Sequence, residues 1–261
     1  MMENKTLNDP MVSVVMPAYN AERYIEEAIR SVQSQTIQDF ELIVINDCSK
    51  DSTESIVRRL QKEDFRIHLI SNTINLGVAQ SRNKGFETSK GKYVALLDSD
   101  DLWYPEKLKK QIDILESTNA DLVFCSYGII NEDGKKCCND FIVPKCATLK
   151  IMLAKSVISC STAIMRQEIT DKYHFSNEYY HEDYVYWIKL LQDGIVAKGT
   201  EEVLAEYRQV AKSRASNKIS SARNRYLVYR DYLKFPYIKC IWYLMQYFFA
   251  GMKKYFRSNV K

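Results

Sequence analysis

Three carboxylates stand within four positions at the end of one apolar run. Residues 94–101 read VALLDSDD, which brings Asp98, Asp100 and Asp101 together. Like charges at that spacing repel, and burying them is costly unless a cation sits among them. Hard oxygen ligands of this kind suit Mg²⁺ or Mn²⁺, which complete their shells with water and substrate phosphates. The spacing therefore points to a divalent ion at the end of a strand, holding a nucleotide diphosphate. The plainer alternative is a helix start, with one acid as N-cap and Pro105 opening a helix over residues 106–117. Asp101 can serve as that cap, but one carboxylate suffices for it. A second acidic pair, Glu182 and Asp183, follows His181. The helix dipole favours acids at a helix start, which is the structural explanation. The chemical one is a general base: a carboxylate beside a metal-filled acidic site can take a proton from an incoming hydroxyl.

An alternation of strands and helices must position these groups. Apolar, β-rich runs predict strands over residues 11–16, 41–45, 66–70 and 93–97. Between them, Asn20 can cap a helix whose apolar positions Tyr24, Ile25, Ala28, Ile29 and Val32 fall at helical spacing. Asp51 with Glu54 resembles a capping box for a second helix, and residues 78–89 form a third. This order argues for an α/β fold with a mostly parallel sheet flanked by helices, whose ligands bind beyond the carboxyl ends of the strands. The residues at those ends are Pro17, Ala18 and Tyr19, then Asn46 and Asp47, then Ser71 and Asn72, then Asp98. No Walker-type loop or glycine-rich dinucleotide turn follows the first strand. A glycine cradle for phosphate is therefore not expected, and carboxylates with a metal must take its place.

Further strands are expected over residues 121–126, 158–165 and 203–207. Glu132-Asp133-Gly134 marks an irregular hairpin within 127–143. The helix after Asp183 carries Trp187, Leu190 and Leu191 on one side and is stopped by Gly194. The expected division is a main domain over residues 1–215 and a helical tail over 216–261. Within the domain, a nucleotide-binding half spans about 11–101 and an acceptor half about 102–215. Hydrophobic content of 46% and charged content of 27% fit a soluble globular chain. A net charge of +4 gives no argument for a nucleic-acid partner. Seven cysteines without a CxxC pair read as reduced thiols of a cytosolic protein, and three histidines make a zinc site improbable. The N-terminus lacks the apolar core of a signal peptide. The longest apolar run, residues 240–252, is short of the roughly 20 residues of a bilayer span. From Arg230 to Lys261 there are seven Lys and Arg against one acid, Asp231, with many aromatics interleaved. Such a helix can lie in the interface of an anionic membrane or dock on the protein's own core. The aromatics are too many for one helix face, which favours the membrane.

Five segments, in this order and spacing, resemble the inverting glycosyltransferases of family 2, which have the GT-A fold. They are VSVVMPAYN (12–20), VINDCSKDST (44–53), NLGVAQSRNKG (75–85), LLDSDD (96–101) and HEDYVYWIKLL (181–191). The resemblance implies that Pro17, Ala18 and Tyr19 pack around the base and ribose of a UDP-sugar. Asp47 would accept a hydrogen bond from uracil, and Asn75, Gly77, Arg82 and Asn83 would border the nucleotide. Asp98, Ser99 and Asp100 match the family's DXD motif. Asp100 would bind Mn²⁺ or Mg²⁺, and Asp98 ribose or metal. Asp183 matches the general base of the ED motif, with Glu182 beside it on the nucleotide-sugar. The family often carries a histidine after the last strand that reaches the diphosphate or metal. Val210 stands at that position here, and Lys212, Ser213, Arg214 and Ser216 could supply phosphate contacts from a flexible lid instead.

Single displacement by an acceptor hydroxyl would invert the anomeric centre. A short chain with a basic, aromatic tail is similar to bacterial enzymes that build O-antigen or capsule repeat units. Those enzymes act on a lipid-diphosphate carrier at the cytoplasmic face of the inner membrane. The implied reaction moves glucose or galactose from a UDP-sugar to an N-acetylhexosamine on that carrier, with the enzyme peripheral on the membrane. A nucleotidyltransferase and a non-catalytic UDP-sugar-binding protein are the alternatives.

Overall fold

The computed structural model describes residues 9–210 and 218–256, with side chains described at 9–210 and 221–249. Lys212, Arg214 and the expected boundary at 215/216 lie outside the described residues. Strands β1 (Val12–Ala18), β2 (Phe40–Asn46), β3 (Ile67–Ser71) and β4 (Tyr93–Leu96) pair in parallel in the order β3-β2-β1-β4. Every residue of β1, β2 and β4 is buried, which is why they read as unbroken apolar runs. They are linked by α1 (Ile25–Gln33), α2 (Thr53–Glu63) and α3 (Val78–Thr88).

The second half extends the same sheet. After β5 (Leu102–Trp103) and α4 (Lys107–Ser117) come β6 (Leu122–Ile130), β7 (Lys136–Phe141), β8 (Cys146–Ala147), α5 (Leu149–Ala154), β9 (Ala163–Arg166), α6 (Gln167–Lys172), α7 (Glu182–Gln192) and β10 (Ala197–Arg208). β9 runs antiparallel to both β4 and β6, and β6 is parallel to β10. One reversed strand between them leaves β4, β6 and β10 pointing the same way. Their carboxyl ends therefore open on the same rim as those of β1 to β3.

Several local expectations give way to longer-range bonds. β1 continues through Pro17, because its pairing with β4 has already ended at Val15 and no donor is needed on that side. Asn20 does not cap α1. It sits at φ 49, and its side-chain oxygen accepts from the Lys50 N–H at 2.8 Å. Glu54 does not close a capping box. It accepts from Asn46 and Arg58, while Asp51 accepts from the Thr53 and Glu22 N–H groups. These bonds tie the loop after β1 to the loop after β2. Asp101 lies six residues before the start of α4, whose N-cap is Glu106. The strand expected from 158 begins only at Ala163, because Ser159 and Thr162 form a capping box on the turn Cys160–Thr162.

The tail forms α8 (Lys218–Leu227), a π turn (Val228–Tyr232) and α9 (Tyr237–Phe256). One face of it docks on the core. Tyr229 Oη donates to the Leu153 carbonyl at 2.7 Å, and Cys240 is fully buried. The Arg225 guanidinium lies 3.9 Å from the Tyr184 ring of α7 and 4.0 Å from the Tyr247 ring of α9. The opposite face of α9 is open to solvent. No helix among the described residues is long and apolar enough to cross a membrane.

α4 carries a fully buried lysine. Lys107 Nζ donates to Gln111 Oε1 at 2.6 Å and lies 4.0 Å from the Trp103 ring. Burial pushes its pKa from 10.5 down to about 8. The folded chain thus binds fewer protons than the unfolded chain between those values, and stability rises with pH across that window. Urea titrations should show a rise of about 3 kcal/mol from pH 8 to 10.5 attributable to this group. Lys107→Met should remove that increment from the pH profile.

Candidate active site

The rim encloses a cleft of about 750 Å³. Of the residues expected from the sequence, Pro17, Ala18, Tyr19, Asp47, Asn75 and Gly77 line it. Arg82, Asp98, Ser99, Asp100, Glu182 and Asp183 line the same cleft. The first and second halves of the chain therefore meet there, although about 80 residues separate Asp100 from Asp183.

The loop between β3 and α3 is built on Asp47. Its Oδ1 accepts from Asn72 Nδ2 at 2.8 Å and from the Leu76 N–H at 2.9 Å, and its Oδ2 accepts from the Gly77 N–H at 2.8 Å. Gly77 adopts φ 84 just before α3, a conformation that favours glycine. Asn75 reaches the Asp47 carbonyl at 3.4 Å. Asp47 is thus a scaffold for this wall as well as part of it.

Arg82, one turn into α3 and 4% exposed, joins the two acidic motifs. It donates to Asp98 Oδ1 at 2.7 Å and to Glu182 Oε1 at 3.1 Å. The Phe175 ring lies 5.2 Å from the guanidinium. A buried cation held between two carboxylates fixes α3, the loop after β4 and the start of α7 relative to one another. Asp183, the next residue, faces the cleft, and one of its oxygens accepts from the Tyr184 N–H at 2.7 Å.

The three acids of the opening motif separate into two kinds. Asp98 and Asp100 line the cleft. Burial, then the negative charge of Asp98, raises the Asp100 pKa to about 6. Asp101 is 1% exposed and turned into the protein, with burial raising its pKa well above the usual range. Its oxygens accept from Ser161 Oγ at 2.5 Å and from the Arg208 N–H at 2.9 Å. The two acids assigned to the metal share the cleft, while Asp101, expected as a helix cap, braces the loop from behind instead. Among the described residues no group of three or more His, Cys, Asp and Glu could hold a metal alone. Two cleft carboxylates, one of them short of neutralising charge, fit an ion that takes the rest of its shell from a diphosphate and water.

Asn83, also expected at the nucleotide, is placed elsewhere. It is absent from the cleft wall, and both ends of its amide are used by Phe175: Nδ2 donates to the carbonyl at 2.9 Å and Oδ1 accepts from the N–H at 2.8 Å. Neighbouring helix positions face different ways, so Arg82 reaches the cleft while Asn83 does not. Sequence reasoning missed Tyr24, Ser81, Ser159, Cys160 and Tyr207 on the wall, since nothing in their local pattern marks them. Val210 lines it too, at the position where the family often has histidine. Nothing in the local pattern marks Arg208, two residues before Val210. Its Nε donates to the Asp100 carbonyl at 2.8 Å and its Nη2 to Glu27 at 2.6 Å, which anchors the acidic loop to α1. Three buried polar atoms on wall residues, Tyr24 Oη, Ser81 Oγ and Arg82 Nε, have no hydrogen-bond partner among the described residues. Groups left this way are commonly completed by ligand or water.

The Asn83 assignment is testable. Asn83→Ala should lower folding stability by about 1–3 kcal/mol through the two stranded Phe175 backbone groups. Nucleotide affinity, measured calorimetrically on the folded variant, should be unchanged.

Comparison with known proteins identifies the family and the fold. The family model described as "Glycosyl transferase family 2" matches residues 13–173. A Bacillus subtilis (strain 168) protein named for teichuronic acid biosynthesis, the glycosyltransferase TuaG, is 36% identical over 245 residues, covering 94% of this chain and 97% of its own. An Escherichia coli protein named as UDP-Glc:alpha-D-GlcNAc-diphosphoundecaprenol beta-1,3-glucosyltransferase WfgD is 33% identical over 251 residues, covering 95% and 96%. Among solved structures, S. aureus TarS 1-349 in complex with UDP-GlcNAc superposes with a TM-score of 0.70 at 23% identity. That match covers 84% of this chain, which spans 64% of the TarS chain. On these matches, the chain belongs to glycosyl transferase family 2 and has the GT-A fold.

Proposed function

We propose that this glycosyltransferase is a metal-dependent, inverting hexosyltransferase. In this reading it moves a hexose, glucose foremost, from a UDP-sugar to an N-acetylhexosamine on a lipid diphosphate during O-antigen or capsule synthesis. The observation that carries the reading is the Arg82 bridge, which holds Asp98 and Glu182 in one cleft with Asp100 and Asp183. The name of the WfgD relative supports the donor and acceptor, and the requirement for a lipid carrier supports peripheral placement on the cytoplasmic face of the inner membrane. Family membership removes the nucleotidyltransferase alternative. The intact acidic set speaks against a non-catalytic binding protein.

The roles are those the family resemblance implies, and the cleft lining is compatible with them. Pro17, Ala18 and Tyr19 border the base and ribose, with Asn75 and Gly77 beside them. Three of the roughly four acceptor sites on Asp47 are taken by Asn72, Leu76 and Gly77, leaving one for the uracil N–H. Asp98 and Asp100 would hold Mn²⁺ or Mg²⁺, which supplies Lewis-acid relief of charge on the departing diphosphate. Arg82 keeps Asp98 and Glu182 in register. Ser99 backs the donor, and Lys212 and Arg214 are assigned to phosphate from sequence alone. Asp183 accepts the proton of the acceptor hydroxyl as that oxygen attacks the anomeric carbon from the face opposite the leaving group. One displacement converts an α-linked donor into a β-linked product.

Asp183→Asn should retain UDP affinity and lose transfer by about 10²–10⁴-fold. Calorimetry with UDP and a radiolabelled transfer assay read the two effects separately. Near-normal turnover in this variant would sink the base assignment, and an α-linked product by NMR would sink inversion.

A further inference from the structure

We infer that the outer face of α9 is a docking surface for an anionic lipid bilayer, entered side-on. Ile238, Ile241, Trp242, Met245, Phe248 and Phe249 are all exposed, from 40% at Ile241 to 83% at Ile238. Their spacing places all six on one face of a 20-residue helix. The other face is committed to the protein: Cys240 is fully buried, and the Tyr243 ring stacks on Phe235 at 5.9 Å and meets Tyr229 at 5.8 Å. A contiguous apolar stripe this rich in aromatics marks an interaction surface. Trp at the edge of such a stripe suits the headgroup level of a membrane.

Charge selects the occupant. Residues 218–256 hold eight Lys and Arg against the single acid Asp231. A second copy of this chain would bring the same excess of positive charge to the contact, whereas an anionic leaflet complements it. No described helix can span a bilayer, so the helix lies in the interface.

Placement gives the surface its use. The tail meets the helix that begins at Glu182 and Asp183 through Arg225 against Tyr184, and the segment just before it through Tyr232 edge-on to Tyr179 at 5.9 Å. A lipid surface at α9 would therefore lie on the flank of the protein that carries α7. That use rests on the lipid-linked acceptor proposed above. The docking itself is read independently of it.

The test is flotation of the full chain with vesicles of phosphatidylcholine plus phosphatidylglycerol, and with phosphatidylcholine alone. The wild type should float with the anionic vesicles, and its partition should fall with added salt. The double variant Trp242→Glu/Phe249→Glu, both residues being exposed, should keep its thermal unfolding midpoint and partition about tenfold or more weaker. Its turnover on a short-chain, water-soluble acceptor should match the wild type. A wild type that stays with the pellet fraction, or a double variant that floats equally well, overturns the proposal. So does a wild-type dimer in sedimentation that the variant dissociates without any flotation. If the wild type floats, the variant does not, and neither turns over the soluble acceptor, docking stands and the acceptor assignment fails.

Discussion

A single buried guanidinium holds the two halves of this protein in working relation. Arg82 is enclosed by the chain and has two carboxylates in reach, one from the loop after β4 and one from the first turn of α7. Removing a partner from such a triad leaves charge stranded in a low-dielectric setting, where it is severely unfavourable. The sheet explains how the three groups can meet. β3 and β4 finish on one rim, and α7 runs back from that rim toward the start of β10, which is parallel to β6, so its first turn lies there too. Topology brings the acids close, and the arginine makes their closeness tolerable.

The same logic runs one layer deeper. Asp100 remains short of neutralising charge, and its loop could collapse or splay were it not fixed from behind. Ser161 bonds both the Asp98 N–H and Asp101, and Arg208 holds the Asp100 carbonyl while its own N–H binds Asp101. Glu27 in turn fixes Arg208. The acidic loop is thereby held in a conformation that presents two carboxylates outward and keeps the third inward. Such preorganisation matters in phosphate chemistry, where positioning and charge do most of the catalytic work.

Much of this was legible in the residues. β1, β2 and β4 announce themselves because a strand buried on both faces has to be apolar throughout, and the rim residues follow directly from the ends of those runs. What the chain order hides is the choice among partners that are distant in sequence. Asn20 had an adjacent helix to cap and bonded Lys50 instead. Asp101 stood before a helix and turned to Ser161 and Arg208. Asn83, one position from Arg82, serves Phe175, which is 92 residues away. Short polar side chains satisfy whichever backbone or hydroxyl the fold delivers, and local pattern carries no record of that delivery.

The stacking of Arg225 between Tyr184 and Tyr247 has a bearing on how the tail should be thought of. Tyr184 is the immediate neighbour of Asp183, so one flat cation is clasped by α7 on one side and by α9 on the other. A chain cut before α9 would unroof that cation and bare the flank of α7 as well as shed the apolar stripe. The tail is thus a buttress whose outer side is apolar and exposed, and the two features can be pulled apart only by changes confined to the outside.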